Sequence, residues 1–407
     1  MKPNYLENIP KNWEVKKLKY LFEFKKGKNP KETVLDNKDL PIYLSMDYLR
    51  GKPKTTFYVK DIEKCLLVKK NDVLLLWDGS NAGEFIQAKD GVLSSTMAVL
   101  KARLSIDEKF TWFLLKDFEL VLKQQTIGMG IPHVNPDFLY NYQLLLPPLP
   151  TQQKIAHFLD QKTSEIDTLI HKKNKLIKLL QEEEKAFINE KITKGTNEVY
   201  PMKNSGIEWI GKIPKHWKIS RMKNICKVRQ GLQIPIDKRY LFKDNDSLEY
   251  ITIRSINNPK QAKEYIKNPP KNVICNKDDI LMARTGATGE VIINVAGVFH
   301  NNFFLVDYNR FIIDKMFLYY FLKSSLIKEH LLMVAGVTTI PDLNHKDFYN
   351  TPFFQFSLDE QNKIVEEIET HIDKNRQVVK KLSKEVDLLK EYRQSLISEA
   401  VTGQLVI

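Results

Sequence analysis

Long apolar runs are the first thing this sequence lacks: nowhere do eighteen uncharged apolar residues follow one another, so a membrane-spanning helix has no segment to form from. The N-terminal stretch MKPNYLENIPKNW holds no apolar signal core, which gives no support to secretion. Cysteine is scarce. Cys65, Cys226 and Cys275 stand alone without CxxC spacing, which argues against a disulfide framework and reads as buried free thiols. The eight histidines form no HxxxH or HExxH pair, so no metal site is suggested. The expectation is a soluble, cytoplasmic chain with no membrane contact and no metal.

What is present is length and positive charge. At 407 residues the chain suits two or three domains, and an apolar share of 43% can supply their cores. Lysine and arginine number 63 against 50 acidic residues, a net charge of +13. An excess of that size attracts polyanions through counterion release and points toward nucleic acid.

The chain is written twice. Ile9-Pro10-Lys11-Asn12-Trp13 returns as Ile213-Pro214-Lys215-His216-Trp217, and Gly27 as Gly231, at an offset of 204. NDVLLLWDGSNAGE (71–84) answers KDDILMARTGATGE (277–290) with Asp72 and Asp279 207 apart, and GMGIPHVN (128–135) answers GVTTIPDLN (336–344) with Pro132 and Pro341 209 apart. From there the offset stays fixed: Gln152-Gln153-Lys154-Ile155 matches Gln361-Asn362-Lys363-Ile364, and Ile188 matches Ile397. A creeping offset marks loops that vary; a constant one marks a segment that tolerates no insertion.

A long helix has that property. Gln152 to Ile192 contains neither Pro nor Gly, and apolar residues recur at a 3.5-residue step through Ile155, Leu159, Ile166, Leu169, Leu176, Leu180 and Phe187, with polar residues at Lys162, Lys173 and Glu183. The second copy puts Ile364, Ile368, Val378, Leu382, Leu389 and Leu396 on the matching seam. Two such helices in one chain predict an antiparallel coiled coil, preceded in the first copy by Pro147, Pro148 and Pro150 and ended by Lys194-Gly195 and Thr402-Gly403. The globular parts carry short β-branched runs (DVLLLW, TMAVLKA, EYITI, EVIINVAGVF) and helical stretches near 110–123 and 314–332. The fold class is therefore α+β, two similar globular domains alternating with two long helices in a pseudo-two-fold internal repeat. The division reads 1–150 first globular domain, 151–195 first spacer helix, 196–206 linker, 207–357 second globular domain, 358–407 second helix.

At this point the chain resembles a family, the specificity subunits of type I restriction-modification systems. The residues that carry the likeness are GIEWIGKIPKHW, the loops LLWDGSNAGE and LMARTGATGE, the helix opening LPPLPTQQKIAHFLDQKTSEID and the ending ISEAVTGQL. The resemblance implies two target-recognition domains, each reading one half of a bipartite asymmetric site on double-stranded DNA, with no catalysis of their own. It implies helices that hold the half-sites apart and dock two methyltransferase (M) subunits. Restriction and translocation (R) subunits would join through the complex, and S-adenosylmethionine, ATP and Mg would belong to those partners. The first copy departs from the second in having Leu76-Trp77-Asp78 where the second has Ala283-Arg284-Thr285.

Reading bases requires donors and acceptors aimed at base edges from a frame that phosphate contacts position. Three loops per copy offer them. Ser45, Asp47 and Tyr48 face Thr252, Arg254 and Ser255 after an apolar strand, with Arg254 suited to guanine and Asp47 to the cytosine amino group. Ser80 and Asn81 face Arg284, Thr285 and Thr288 in the glycine loops, and Thr126, Met129 and His133 face Thr338 and Thr339. On the helices, Ile155, Leu159, Leu169, Leu176, Ile364, Ile368, Leu382 and Leu389 are the candidate seam and partner-binding positions. A plain turn or a solvated hairpin is the competing reading of each loop, and core anchoring is preferred for Trp13 and Trp217.

Two enzyme classes are disfavoured by the sequence. A DNA methyltransferase would carry an NPP-aromatic motif, but Asn268-Pro269-Pro270 is followed by Lys271. A nuclease would pair Pro136-Asp137 with Asp160-Gln161-Lys162, yet the latter falls on the long helix and no counterpart follows Pro341-Asp342. A duplicated coiled-coil scaffold binding only protein is the non-DNA alternative.

Overall fold

The computed structural model describes residues 9–35, 37–128, 130–196, 199–258, 260–336 and 341–407. The chain divides into two compact units, residues 1–174 with 383–407, and residues 175–382. Each unit therefore holds one globular copy, the start of the helix that follows that copy, and the end of the other long helix. The helices run Leu149–Lys194 and Leu358–Val401.

In the first unit a four-stranded antiparallel sheet is ordered Phe22–Lys26, Met97–Ala102, Val73–Leu76, Phe85–Gln87. Leu74, Leu75, Ala98 and Val99 are fully buried, so both faces of its centre are covered and the strands read as near-continuous apolar runs. The second unit repeats the order with Cys226–Gln230, Phe303–Tyr308, Ile280–Ala283 and Val291–Ile292. A smaller sheet joins Tyr43–Leu44 in parallel to Gly91–Leu93, as Ser247–Ile251 joins Gly297–Phe299 in the second unit, which adds an edge strand Tyr265–Lys267. The run EVIINVAGVF is thus two short strands in different sheets, because Asn294 adopts a positive φ of 63° between them. Likewise the helical stretch near 314–332 is two helices, Lys315–Lys323 and Ser325–Ala335, separated where Ser324 leaves the helical region to cap the second.

The two glycines that the repeat aligns, Gly27 and Gly231, have a physical reason in common. A Cβ on Gly27 would lie 2.3 Å from the carbonyl oxygens of Leu93 and Ser94; on Gly231 it would lie 2.2 Å from that of His300 and 2.5 Å from that of Phe299. Backbone meets backbone at both points, so nothing flexible can yield. Gly27→Ala and Gly231→Ala are each expected to cost about 2–3 kcal/mol, read as a lower urea midpoint at unchanged slope; an unshifted midpoint would show that the strands part more easily than the geometry indicates.

The repeated IPK-x-W phrase closes each unit in an unexpected way. Trp217 is fully buried, stacks on Phe356 at 4.0 Å, and donates its indole N–H to Glu360 Oε1 at 2.9 Å, while His216 Nε2 lies 2.8 Å from the other oxygen. Its ring also lies against Gly195, at the end of the first copy's helix. In the first unit Pro10 and Trp13 lie in the same way against Gly403, at the end of the second copy's helix. Each phrase clasps the terminating glycine of the other copy's helix. Gly195 and Gly403 both have positive φ (85° and 72°), the left-handed conformation in which a glycine ends a helix without Cβ strain.

Within each unit the long helices run antiparallel. Asp167 pairs with Arg393 at 2.9 Å and Lys173 with Glu385 at 2.6 Å in the first; Glu183 pairs with His371 at 2.9 Å and Lys191 with Glu367 at 2.6 Å in the second. Ile155, Leu159, Ile364 and Ile368 are buried against the globular cores, and Leu382 and Leu389 are half-buried. Leu169 and Leu176 are not on the seam: they are 42% and 44% exposed, and Ile170, Lys173 and Ile177 turn inward instead. Two neighbouring columns of this helix keep a heptad step. The inward one admits Lys173 because Glu385 meets its charge.

Candidate nucleic-acid interface

The frame beneath the first candidate loop is the same in both copies. Ser45 caps the helix Met46–Leu49 by accepting from the Tyr48 N–H at 3.2 Å. Thr252 caps Ile253–Asn257 through a reciprocal box, its Oγ1 accepting from the Ser255 N–H at 3.0 Å while Ser255 Oγ accepts from the Thr252 N–H at 2.9 Å. Ser45, Thr252 and Ser255 are thus engaged in shaping the turn. The residue two places after each cap is Asp47 in one copy and Arg254 in the other. Both are exposed, and neither side chain makes a hydrogen bond or ion pair among the described residues. Tyr48 is held differently: the Lys89 ammonium sits 4.7 Å over its ring and donates to its carbonyl at 2.8 Å.

The second and third loops, distant in sequence, meet in space. Gly79 N–H donates to the Pro132 carbonyl at 2.9 Å, and Asp78 Oδ1 lies 2.7 Å from His133 Nδ1. Burial pushes the Asp78 carboxyl up, but hydrogen bonds from His133 and Lys26 outweigh it and hold the group below the usual carboxylate range. In the second copy Arg284 forks onto Asp342, with contacts of 2.7–2.9 Å, and Thr288 Oγ1 turns inward to the carbonyls of Pro341 and Arg284 at 2.7 and 3.0 Å. The loop arginine is therefore tied down in the protein itself. Ser80 and Asn81 stay exposed and are joined to each other at 3.3 Å; Thr285 is half-exposed; Thr126 donates to the Lys123 carbonyl at 3.2 Å. Met129, Thr338 and Thr339 lie outside the described residues.

Asp78 and Asp342 were missed as partners of His133 and Arg284. The aligned copies hold part of the signal: His133 and Asp342 are repeat-equivalent, so a base in the third loop of one copy becomes an acid in the other.

The cysteines offer no nucleophile. Burial pushes the Cys226 thiol up to about 12 and the Cys275 thiol up to about 11, and Cys65, which is half-buried and not buried as its residue type suggested, is also raised. Asp137 lies in the helix Pro136–Asn141, while Asp160 on the long helix is paired with Lys109 at 2.5 Å. No group of three His, Cys, Asp or Glu able to hold a metal ion occurs among the described residues, and no described helix is long and apolar enough to cross a membrane.

The duplicated α+β domain with its long helices and loop face is shared with a class of DNA-specificity proteins. The family model for the type I restriction modification DNA specificity domain matches residues 10–179 and again 214–388. The chain is 31% identical to the type I restriction enzyme MjaVIII specificity subunit of Methanocaldococcus jannaschii, over 98% of this chain and 94% of the relative. It is 21% identical to the EcoBI specificity subunit of Escherichia coli over 90% of this chain and 80% of that one. Among solved structures, the HsdS subunit of Thermoanaerobacter tengcongensis shares the fold with a TM-score of 0.55 at 15% identity, covering 98% of both chains. A chain solved in a study of complex assembly and conformational transition of the type I R-M system matches at 0.68 and 16%, covering 98% of this chain and all of that one. The protein belongs to the type I restriction-modification specificity subunits: it is the non-catalytic DNA sequence-recognition subunit, and its two matched domains fit a two-part target.

Proposed function

We propose that each globular copy reads one half of an asymmetric DNA site, and that the position two residues after the Ser45 and Thr252 caps is a base-reading position in each. The observation that carries this is the contrast between Asp47 and Arg254: one frame position, exposed and unengaged in both copies, with opposite charge. A carboxylate accepts from the cytosine amino group and a guanidinium donates to guanine O6 and N7, so the same scaffold would read different bases. Two methyltransferase subunits would dock on the long helices. Supporting this, Leu169 and Val378 are repeat-equivalent, as are Leu179 and Leu388, and all four are exposed apolar residues, a pattern suited to two copies of one partner. S-adenosylmethionine, ATP and Mg would be held by the partners, and restriction subunits would join through the methyltransferase.

The test is to co-express the full chain with its methyltransferase and map the methylated motif. The wild type is expected to mark a bipartite motif; Arg254→Ala should relax one position of one half, and Asp47→Ala one position of the other. Absence of any motif, with intact protein and partner, would favour the protein-only scaffold.

A further inference from the structure

In the second globular copy, residues 207–357, five arginines are engaged by the fold: Arg221 with Asn350, Arg229 with the Asn272 carbonyl, Arg239 with the Ile234 carbonyl and Glu264, Arg284 with Asp342, and Arg310 with Asp279. Arg254 is the sixth and has no such bond among the described residues. It borders a recess of about 360 Å³, whose other walls include Gln261, His300 and Asn302.

The walls fall into two sets. One is satisfied and rigid: Arg239 bonds Glu264 at 3.0 Å, the Thr252 and Ser255 box closes on itself, and the Tyr250 hydroxyl donates to the Leu232 carbonyl at 2.7 Å. The other set is unspent. The Asn302 side-chain amide makes no hydrogen bond among the described residues, and Gln261 Oε1 is buried without a partner. His300 Nδ1 accepts the Asn302 N–H at 3.0 Å, which leaves the ring proton on Nε2; burial and then Arg239 hold the ring below its usual pKa, so it is neutral at pH 7. An unmet buried acceptor is unfavourable, and a ligand with donors would relieve it. Phosphate has acceptors only and would leave Gln261 unmet. A base edge carries both kinds of group.

In the first copy the equivalent polar groups are engaged with each other. The Trp77 N–H meets the Thr96 carbonyl as the Arg284 N–H meets the Asn302 carbonyl, so Thr96 stands where Asn302 does. There Ser94 and Thr96 join their hydroxyls at 3.0 Å.

We infer that this recess is the purine-reading site of the second domain, in which Arg254 takes guanine through O6 and N7 and Asn302, with Gln261 beside it, takes a neighbouring adenine through N6 and N7. The inference rests on the proposal that this domain reads DNA, and it adds two residues and a base step to it. A side-chain amide matches adenine because it donates to N7 and accepts from N6 in one plane. Loss of such a bidentate contact relaxes discrimination by about tenfold or more.

The experiment is motif mapping with the full chain and its methyltransferase for the wild type, Asn302→Ala and Asn302→Asp. A wild-type motif with a guanine–adenine step in one half, relaxed at the adenine by Asn302→Ala while the guanine and the other half persist, is the expected result. A bipartite wild-type motif that neither Asn302 variant alters, or alters only in the half that Arg254→Ala leaves intact, overturns the inference and leaves the two-domain reading standing. A wild type without a bipartite motif overturns both. Should Asn302→Ala fail to fold, Asn302→Asp decides: it keeps the side chain's shape but loses the N7 donor, and an unchanged adenine would overturn the assignment.

Discussion

Gln361→Ala is expected to destabilise the second unit by about 3 kcal/mol, through three buried hydrogen bonds left open at once. The Gln361 amide is fully buried at the start of the second long helix. Its Nε2 donates to the carbonyls of Ile312 and Phe356 at 2.9 and 3.1 Å, and its Oε1 accepts the Asp314 N–H at 2.8 Å. Asp314 is itself the cap of the helix Lys315–Lys323. One side chain therefore joins the helix start to the globular domain's own helix, and the first copy repeats the joint: Gln152 donates to the Pro147 carbonyl at 2.8 Å and accepts from the N–H of Asp107, the cap of Glu108–Gln124, at 2.9 Å. Gln361→Glu keeps the shape and the Asp314 contact but turns an acceptor toward two carbonyls, so it should be at least as damaging as alanine. Urea unfolding monitored by circular dichroism measures both; a loss under about 1 kcal/mol for alanine would mean water replaces the amide and the joint is looser than its geometry.

The second large effect concerns the seam between the helices. Lys191 is 3% exposed and meets Glu367 at 2.6 Å, with the Phe187 ring 5.1 Å from its ammonium. Glu367→Ala should cost about 3–5 kcal/mol, because it leaves a buried ammonium without its main counter-charge. The repeat supplies the rescue. The residues equivalent to Lys191 and Glu367 in the other copies are Ala400 and Phe158, one fully buried and the other half-buried in the first unit's core. Lys191→Ala with Glu367→Phe should therefore recover most of the stability that Glu367→Ala loses, as an apolar pair of similar volume often replaces a buried ion pair at no cost. Thermal melting of the wild type and the two variants separates the cases; a double variant no better than the single would show that neighbouring groups specify this position beyond the pair.

Much of the architecture was legible because the repeat reports it. A constant offset of 209 through the last part of each copy, with no Pro or Gly from Gln152 to Ile192, is what an uninterrupted helix under register constraint must look like. Gly195 and Gly403 marked both ends correctly, since only a residue without Cβ takes the left-handed turn there cheaply. Ile155, Leu159, Ile166, Leu180 and Phe187 lie inward as their spacing predicts, but Leu169 and Leu176 do not: hydrophobicity favours them over Lys173, and only the opposing Glu385 makes the lysine the inward residue. For the loops, residue type alone proposed Ser45, Thr252, Ser255 and Arg284 on the same footing as Asp47 and Arg254. Hydrogen-bond accounting divides them, because a cap or an ion pair already made occupies the groups that a base would need.

The sequence by itself determined that the protein is two copies of one domain, each followed by a long helix, and that it belongs to a family of DNA-specificity subunits. Duplication, periodicity and turn glycines are local patterns that survive in one dimension. Only the tertiary structure decided that each IPK-x-W phrase clasps the helix of the opposite copy, that Gln152 and Gln361 join helix to domain, and that Arg254, Gln261 and Asn302 share one recess. Those relations depend on which distant groups meet and which hydrogen bonds remain unspent, and a sequence records neither.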